Sequence, residues 1–245
     1  MAKRLLFTFL LIFSFNLIDA QVNEENRVKS PQSEIELAFI TAQYEKSDKP
    51  LCIVEDSISQ NKGGYWTYWN VYCKLYKSYF YATTKQQSKA VEMLDSGIQI
   101  LEEKGKLTTE DYALLAYVQS QKLRYTTGME SGVLASKSRE NALMSVKLDE
   151  ENLRGWYVLA VIDFYTPKMF GGKEKCEEYL LKAIALPSQS IDNIYLPSWG
   201  KVESYSLLLN FYSELHDSIK FKQYYNKAIE EFPDEPTIQS YENRF

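Results

Sequence analysis

The chain has 245 residues, 45% hydrophobic and 25% charged, with a formal net charge of −5. Those proportions exclude a disordered, collagen-like or low-complexity protein, and the acidic balance argues against nucleic acid as a partner, because phosphates need a basic face. A single His against 19 Tyr, 12 Phe and 4 Trp leaves little for His-based catalysis or metal binding.

Residues 1–20 have the pattern of an export signal: Lys3 and Arg4 precede an apolar run from Leu5 to Ile18. That run matches a signal-peptide core and falls short of the roughly 20 residues a membrane-spanning helix needs. Cleavage after Ala20 leaves Gln21 at the mature terminus, and no Cys follows the run to carry a lipid. The expected location is therefore periplasmic or secreted, without stable membrane insertion. Residues 21–32, polar and carrying Pro31, are expected to form a flexible lead-in to a helical domain over 33–245. Cys52, Cys73 and Cys176 are an odd number spread widely along the chain. They read as free thiols, with one disulfide and a spare as the alternative. Neither they nor His216 have the spacing of a zinc site.

From Ser33 onward the apolar residues recur at helical steps. Ala90, Met93, Leu94, Gly97, Ile98 and Leu101 share one face, as do Phe221, Tyr224, Tyr225, Ala228, Ile229 and Phe232. Helices are expected near 34–47, 51–60, 65–83, 85–104, 109–127, 131–147, 153–166, 173–186, 201–215 and 218–231. Ser33 with Glu36 and Thr84 with Gln87 are candidate capping boxes, and Gly105 and Gly128 candidate left-handed helix ends. No run shows the sustained period-two alternation of strands, so the class is all-α.

The helices fall into pairs, and their first members repeat a pattern of large, large, small, large: Trp69, Tyr72, Cys73, Tyr76; Tyr112, Leu115, Ala116, Gln119; Trp156, Leu159, Ala160, Asp163; Tyr205, Leu208, Leu209, Tyr212. The second members answer with Ala90, Leu94, Gly97; Ser138, Ala142, Ser145; Cys176, Leu180, Ala183; Phe221, Tyr225, Ala228. The last position is small every time, as the close crossing of two antiparallel helices requires. In these residues, over about 65–235, the chain resembles the tetratricopeptide repeat family, whose signature is W-x2-L-G-x2-Y followed by spaced Ala, aromatic, Ala and Pro. The last repeat supplies Tyr205, Leu208, Tyr212, Tyr225, Ala228 and Pro233 in register. The repeat spacing of 43 to 49 residues exceeds the family's usual unit of about 34, and Asp163, Gln119 and Leu209 depart from the signature. The resemblance implies an α-solenoid of stacked antiparallel hairpins. Two segments, Thr166–Lys173 and Leu196–Lys201, look like loops of exported bacterial tetratricopeptide proteins of a Bacteroidetes-like type, some of them similar to repeat components that partner TRAP-type transporters. In the first, Pro167 stops a helix, the paired glycines allow a reversal, and Phe170 is expected to anchor the loop or meet a ligand.

The catalytic candidates fail on their chemistry. Gly171-Gly172-Lys173 lacks the upstream glycine and preceding strand of a phosphate loop, no nucleophile motif is present, and His216 beside Asp217 suits a turn or cap. The paired glutamates near helix ends are accounted for as solvated faces. No catalytic residue, metal or cofactor is expected, so the chain reads as a non-enzyme. The run Tyr65 to Tyr81 is the densest aromatic stretch; Trp69, Tyr72 and Tyr76 belong to the repeat core, while Tyr65, Trp66, Tyr68 and Tyr79 are candidates for a stacking platform. The family resemblance further implies a concave groove lined by Asn70 and Lys74, Ala113 and Tyr117, Tyr157 and Val161, and Ser206 and Asn210, with Lys77 and Gln121 one turn along. Asn70, Lys74, Lys77, Tyr117, Gln121, Tyr157 and Asn210 are the binding candidates, an ordinary polar helix face being the alternative. The expected function is an exported scaffold that binds a protein or peptide in that groove. The competing expectation is a small-molecule carrier or solute-transport accessory, which a closed cavity near Trp66, Tyr117 and Tyr157 would favour over an open polar groove.

Overall fold

The computed structural model describes residues 30–61, 63–188, 193–242 and 244. The expected leader lies outside these residues. The class is all-α as expected: among the described residues there is no strand, and no helix is long and apolar enough to cross a membrane. The helices are α1 (Pro31–Glu45), α2 (Lys49–Ser59), α3 (Gly64–Thr83), α4 (Gln87–Glu102), α5 (Thr109–Lys122), α6 (Gly128–Leu148), α7 (Leu153–Tyr165), α8 (Cys176–Ala185), α9 (Lys201–Leu215), α10 (Ser218–Glu231) and the short α11 (Pro236–Gln239). Single 3₁₀ turns cover Leu123–Tyr125 and Lys168–Phe170.

The chain forms two compact units, one ending at Lys201 and one beginning at Val202. In the first, α1 pairs with α2, α3 with α4, α5 with α6 and α7 with α8, and the first helices α1, α3, α5 and α7 neighbour one another in turn. The small residues expected at the hairpin crossings are where they should be: Ser145 and Ala183 are fully buried, and a Cβ on Gly97 would already lie 3.3 Å from Val71 Cγ1. Ser138 and Ser145 are buried polar groups that stay satisfied by donating to the carbonyls of Ala116 (2.7 Å) and Thr109 (2.9 Å) on the partner helix. In the second unit, Tyr212 stacks on Tyr224 at 5.5 Å, the Tyr205 hydroxyl donates to Glu231 at 2.9 Å, and the buried Tyr241 reaches back to the Ser206 carbonyl at 3.1 Å.

Several helix ends differ from expectation, each for a local reason. α1 begins at Pro31, whose fixed φ and missing N–H suit a first turn; Ser30 caps it with Ser33 completing the box, while Glu36 is drawn instead to Tyr72. Thr84 bonds back to the Phe80 carbonyl at 3.0 Å rather than capping α4. Gly128 opens α6 instead of ending a helix, Gly105 is not left-handed, and Lys46, Lys85 and His216 take the left-handed conformation at helix ends. Phe170 does not anchor its loop, being 72% exposed. That loop is held from the signature position occupied by Asp163, whose carboxylate and carbonyl accept the Lys175 and Lys173 N–H groups at 3.0 and 2.9 Å.

Candidate functional site

The tyrosines of α3 fall at steps of three and four, which puts Tyr65, Tyr68, Tyr72, Tyr76 and Tyr79 in one row along the helix. The row meets Glu36 of α1, which Tyr72 and Tyr76 approach at 3.0 and 3.4 Å, and Tyr117 of α5, which bonds Tyr79. Glu36 Oε1 accepts from Tyr72 (3.0 Å) and from Gln32 Nε2 (2.9 Å), so a carboxylate on α1 holds both its own glutamine and a phenol of α3.

Residues 193–200 lie across this face. Asn193 starts a turn by accepting the N–H groups of Tyr195 and Leu196, both at 3.0 Å. The Tyr195 carbonyl then accepts the Trp69 indole N–H at 3.0 Å. Side chains alternate beyond it, with Pro197 and Trp199 buried and Ser198 exposed. Gln32 Oε1 takes the backbone N–H of both Ser198 (2.8 Å) and Trp199 (3.2 Å), and Arg154 Nη1 donates to the Trp199 carbonyl at 3.2 Å. The Trp199 ring stacks on Tyr117 (5.4 Å, 21°) and Tyr72 (6.1 Å, 29°), and Tyr157 meets it edge-on (6.1 Å, 79°). Its N–H donates to the Tyr68 hydroxyl at 2.7 Å. Such ring contacts contribute about 0.5–1.5 kcal/mol per pair beyond the area they bury. Gly200 closes the segment at φ +110°, where a Cβ would stand 2.7 Å from Leu153 Cδ2. Arg154 is itself fixed by Glu110, which accepts its Nε and Nη2 and also Asn152 Nδ2 (3.0 Å). Burial, reinforced by the charge of Glu110, pushes the Tyr68 phenol well above its ordinary pKa. Burial does the same for Tyr79, helped by Tyr117. Both are therefore neutral hydrogen-bonding phenols.

At the rim the same segment completes a partly exposed aromatic trio. Tyr195 stacks on Tyr65 at 6.3 Å and meets Trp66 edge-on at 5.7 Å, leaving Tyr65 and Tyr195 50% and 41% exposed.

The seven sequence candidates divide. Tyr117 and Tyr157 come together, 5.7 Å apart, and both rings meet the Trp199 indole. Gln121, one turn beyond Tyr117, is buried, and its Oε1 accepts no hydrogen bond among the described residues. Asn70, Lys74 and Lys77 face α2 instead. Asn70 donates to Ser59 Oγ at 3.1 Å, and both lysines close on Glu55, at 2.7 and 2.5 Å. Burial acts to raise the Glu55 pKa, but the hydrogen bonds and charges of the two lysines outweigh it and hold the carboxyl below its usual range. Burial likewise opposes the charge on Lys77, and Glu55 overcomes it, raising the ammonium above its ordinary value. Beside them Cys52 is partly exposed and Cys73 buried, and no disulfide joins them; burial pushes the Cys73 thiol up to about 12, which makes it unreactive. Asn210 belongs to the second unit and accepts from Arg244 at 3.2 Å. Trp199, Gln32 and Arg154 are not among the candidates; the Leu196–Lys201 segment, which reads as a loop, is a signal for Trp199, and the sequence offers none for Gln32 or Arg154.

No protein-family model and no curated protein matches the chain in sequence. Among solved structures it is similar to a thermophilic TPR protein of Thermus thermophilus, with 15% identity and a TM-score of 0.56 over 86% of this chain and 96% of that one. It is also similar to the HusA haemophore from Porphyromonas gingivalis, with 18% identity and a TM-score of 0.51 over 76% of this chain and 96% of that one. At these identities the likeness concerns the fold, which is TPR-like: antiparallel helical hairpins set side by side.

Proposed function

We propose that the protein is an exported, non-enzymatic scaffold that binds a protein or peptide partner on the face lined by α1, α3, α5 and α7. One observation carries this reading: that face already holds an extended stretch of chain, with Gln32 and Arg154 on its backbone and a tyrosine-walled slot around its one large side chain. These are the means by which helical scaffolds bind peptides, backbone hydrogen bonds for affinity and a pocketed anchor for specificity. Stacked hairpins supply the rigid spacing such recognition needs. Residues 1–20 act as the export leader in this reading, and the helical repeats as the mature periplasmic or secreted domain. The experiment is crosslinking and affinity capture of the mature protein from its own cell envelope, repeated with Tyr117→Ala and Tyr157→Ala. Loss of a captured partner in these variants supports the reading; capture that is unchanged sinks it. Sequencing the mature terminus tests the leader, with Gln21 as the expected first residue.

A second reading, carriage of a planar small molecule, is favoured by the rim trio of Tyr65, Trp66 and Tyr195 together with the likeness to a haemophore. Titration with haemin checks it: a perturbed haem absorbance band that Tyr195→Ala abolishes supports a carrier, and a spectrum identical to free haemin excludes haem as the cargo.

A further inference from the structure

We infer that the Pro197–Trp199 stretch is a tethered occupant of a slot that takes the tryptophan of a partner chain; this rests on the peptide-binding reading above and names the chemistry of the peptide. Three observations lead there. The backbone contacts that hold the stretch are ones any extended chain could make, since Gln32 accepts two backbone N–H groups and Arg154 donates to one carbonyl; the Ser198 hydroxyl adds one side-chain bond, to Gln32 Oε1 at 3.2 Å. The groups that make them are positioned by their own helices: Gln32 by Glu36, and Arg154 by Glu110, which also holds Asn152. The slot is thus preorganised independently of what fills it, which is how a binding site differs from a core position. Its base is chemically selective, because the Tyr68 hydroxyl stands 2.7 Å from the indole nitrogen and accepts its proton. Phenylalanine has no donor to offer there, and a site built around a hydrogen bond rejects the analogue that lacks it.

The same geometry disfavours an acidic peptide end as the anchor. The cation in the slot, Arg154, already carries Glu110 on its Nε and Nη2 and gives Nη1 to a backbone carbonyl. The partner segment is instead an extended chain with a buried small or proline residue, an outward polar residue and an inward tryptophan, the pattern of Pro197, Ser198 and Trp199. While the chain's own copy sits in place, it competes with that partner at the high effective concentration of an intramolecular ligand.

The test uses the full mature chain and a fluorescent synthetic peptide, Leu-Pro-Ser-Trp-Gly, with a Leu-Pro-Ser-Phe-Gly counterpart. Two variants open the slot: Trp199→Ala empties it, and Pro197→Gly loosens the stretch while leaving every slot residue in place. Folding is checked by circular dichroism. The expected result is that at least one folded variant binds the tryptophan peptide about tenfold or more tightly than wild type, and about tenfold more tightly than the phenylalanine peptide. Folded variants that bind no better than wild type, or that bind both peptides equally, overturn the inference; so does loss of the helical fold in both variants, which makes the stretch part of the core. Its failure is distinguishable from failure of the scaffold reading. An envelope partner still captured by wild type leaves the scaffold standing without the tether, whereas peptide binding with no envelope partner leaves the slot standing without the scaffold.

Discussion

Helix α3 presents two faces that solve the burial of polar groups in opposite ways. Toward α2 it sends Lys74 and Lys77, which meet a single carboxylate about twenty residues earlier in the chain; toward α1, α5 and α7 it sends tyrosines, which meet a tryptophan 131 residues later. The charged face is closed by neighbours within the stack. The aromatic face is closed by a segment that returns to it, so its filling is separable from the helices that form it. That difference is why the aromatic face, and not the lysine row, is the better candidate for recognition.

The sharpest way to break this contrast is to empty each face in turn. Trp199→Ala is expected to cost about 3–5 kcal/mol if the slot stays empty, measured by urea unfolding, and adding the tryptophan peptide should recover part of it. Glu55→Ala removes the shared partner of two largely buried ammonium groups and is expected to cost about 3 kcal/mol, with no recovery by the peptide. A recovery there would mean the faces are not independent. Gly97→Leu, which lies on α4 away from the slot and the lysines, is expected to cost about 1–3 kcal/mol by overpacking while leaving peptide binding in the Trp199→Ala background unchanged. The smallest effect is expected for Asn70→Ala, within about 0.5 kcal/mol and without consequence for binding.

Proton linkage separates the faces again. Glu55 has a lowered pKa when folded, so its contribution is present above the unfolded value of 4.5 and is lost as pH falls through the folded value. Lys77 has a raised one, so its contribution is complete below the unfolded value of 10.5 and is lost as pH rises through the folded value. Tyr68 is also raised, so its contribution is complete below 10.0 and drains away above it. The lysine seam should therefore weaken at both ends of the pH scale, and the Tyr68 contribution at the alkaline end. Unfolding free energies of Glu55→Ala and wild type should converge as pH falls below 4.5 and through the lowered folded value, where the folded carboxyl is finally protonated; a gap that persists beyond that point would mean that Glu55 acts by packing rather than charge.

The helices and their small crossing residues were legible because both follow from local spacing: Gly97, Ser145 and Ala183 mark where backbones must come close, and periodicity alone finds them. The site was legible only in halves. Tyr117 and Tyr157 came from the repeat register, and the aromatic run of α3 and the Leu196–Lys201 segment were each visible, but nothing in the sequence joins residue 199 to residues 32, 68 and 154. Asn70, Lys74 and Lys77 are legible as candidates but not in their contacts, for a related reason. Their chemistry suits a clamp, yet their role depends on Glu55, which lies outside the repeat pattern altogether.

The order in which the chain emerges during synthesis gives the returning segment another meaning. Gln32, Tyr68, Tyr72 and Tyr117 are all made before Trp199, and the bonds that join it to Gln32 and Tyr68 span 167 and 131 residues. Contacts of such separation form late, since their loop entropy is met only at closure. Until that point the N-terminal hairpins carry an uncovered strip of tyrosine and tryptophan, the kind of surface that folding helpers and aggregates both recognise. Closure by Trp199 thus also marks when that strip stops being sticky.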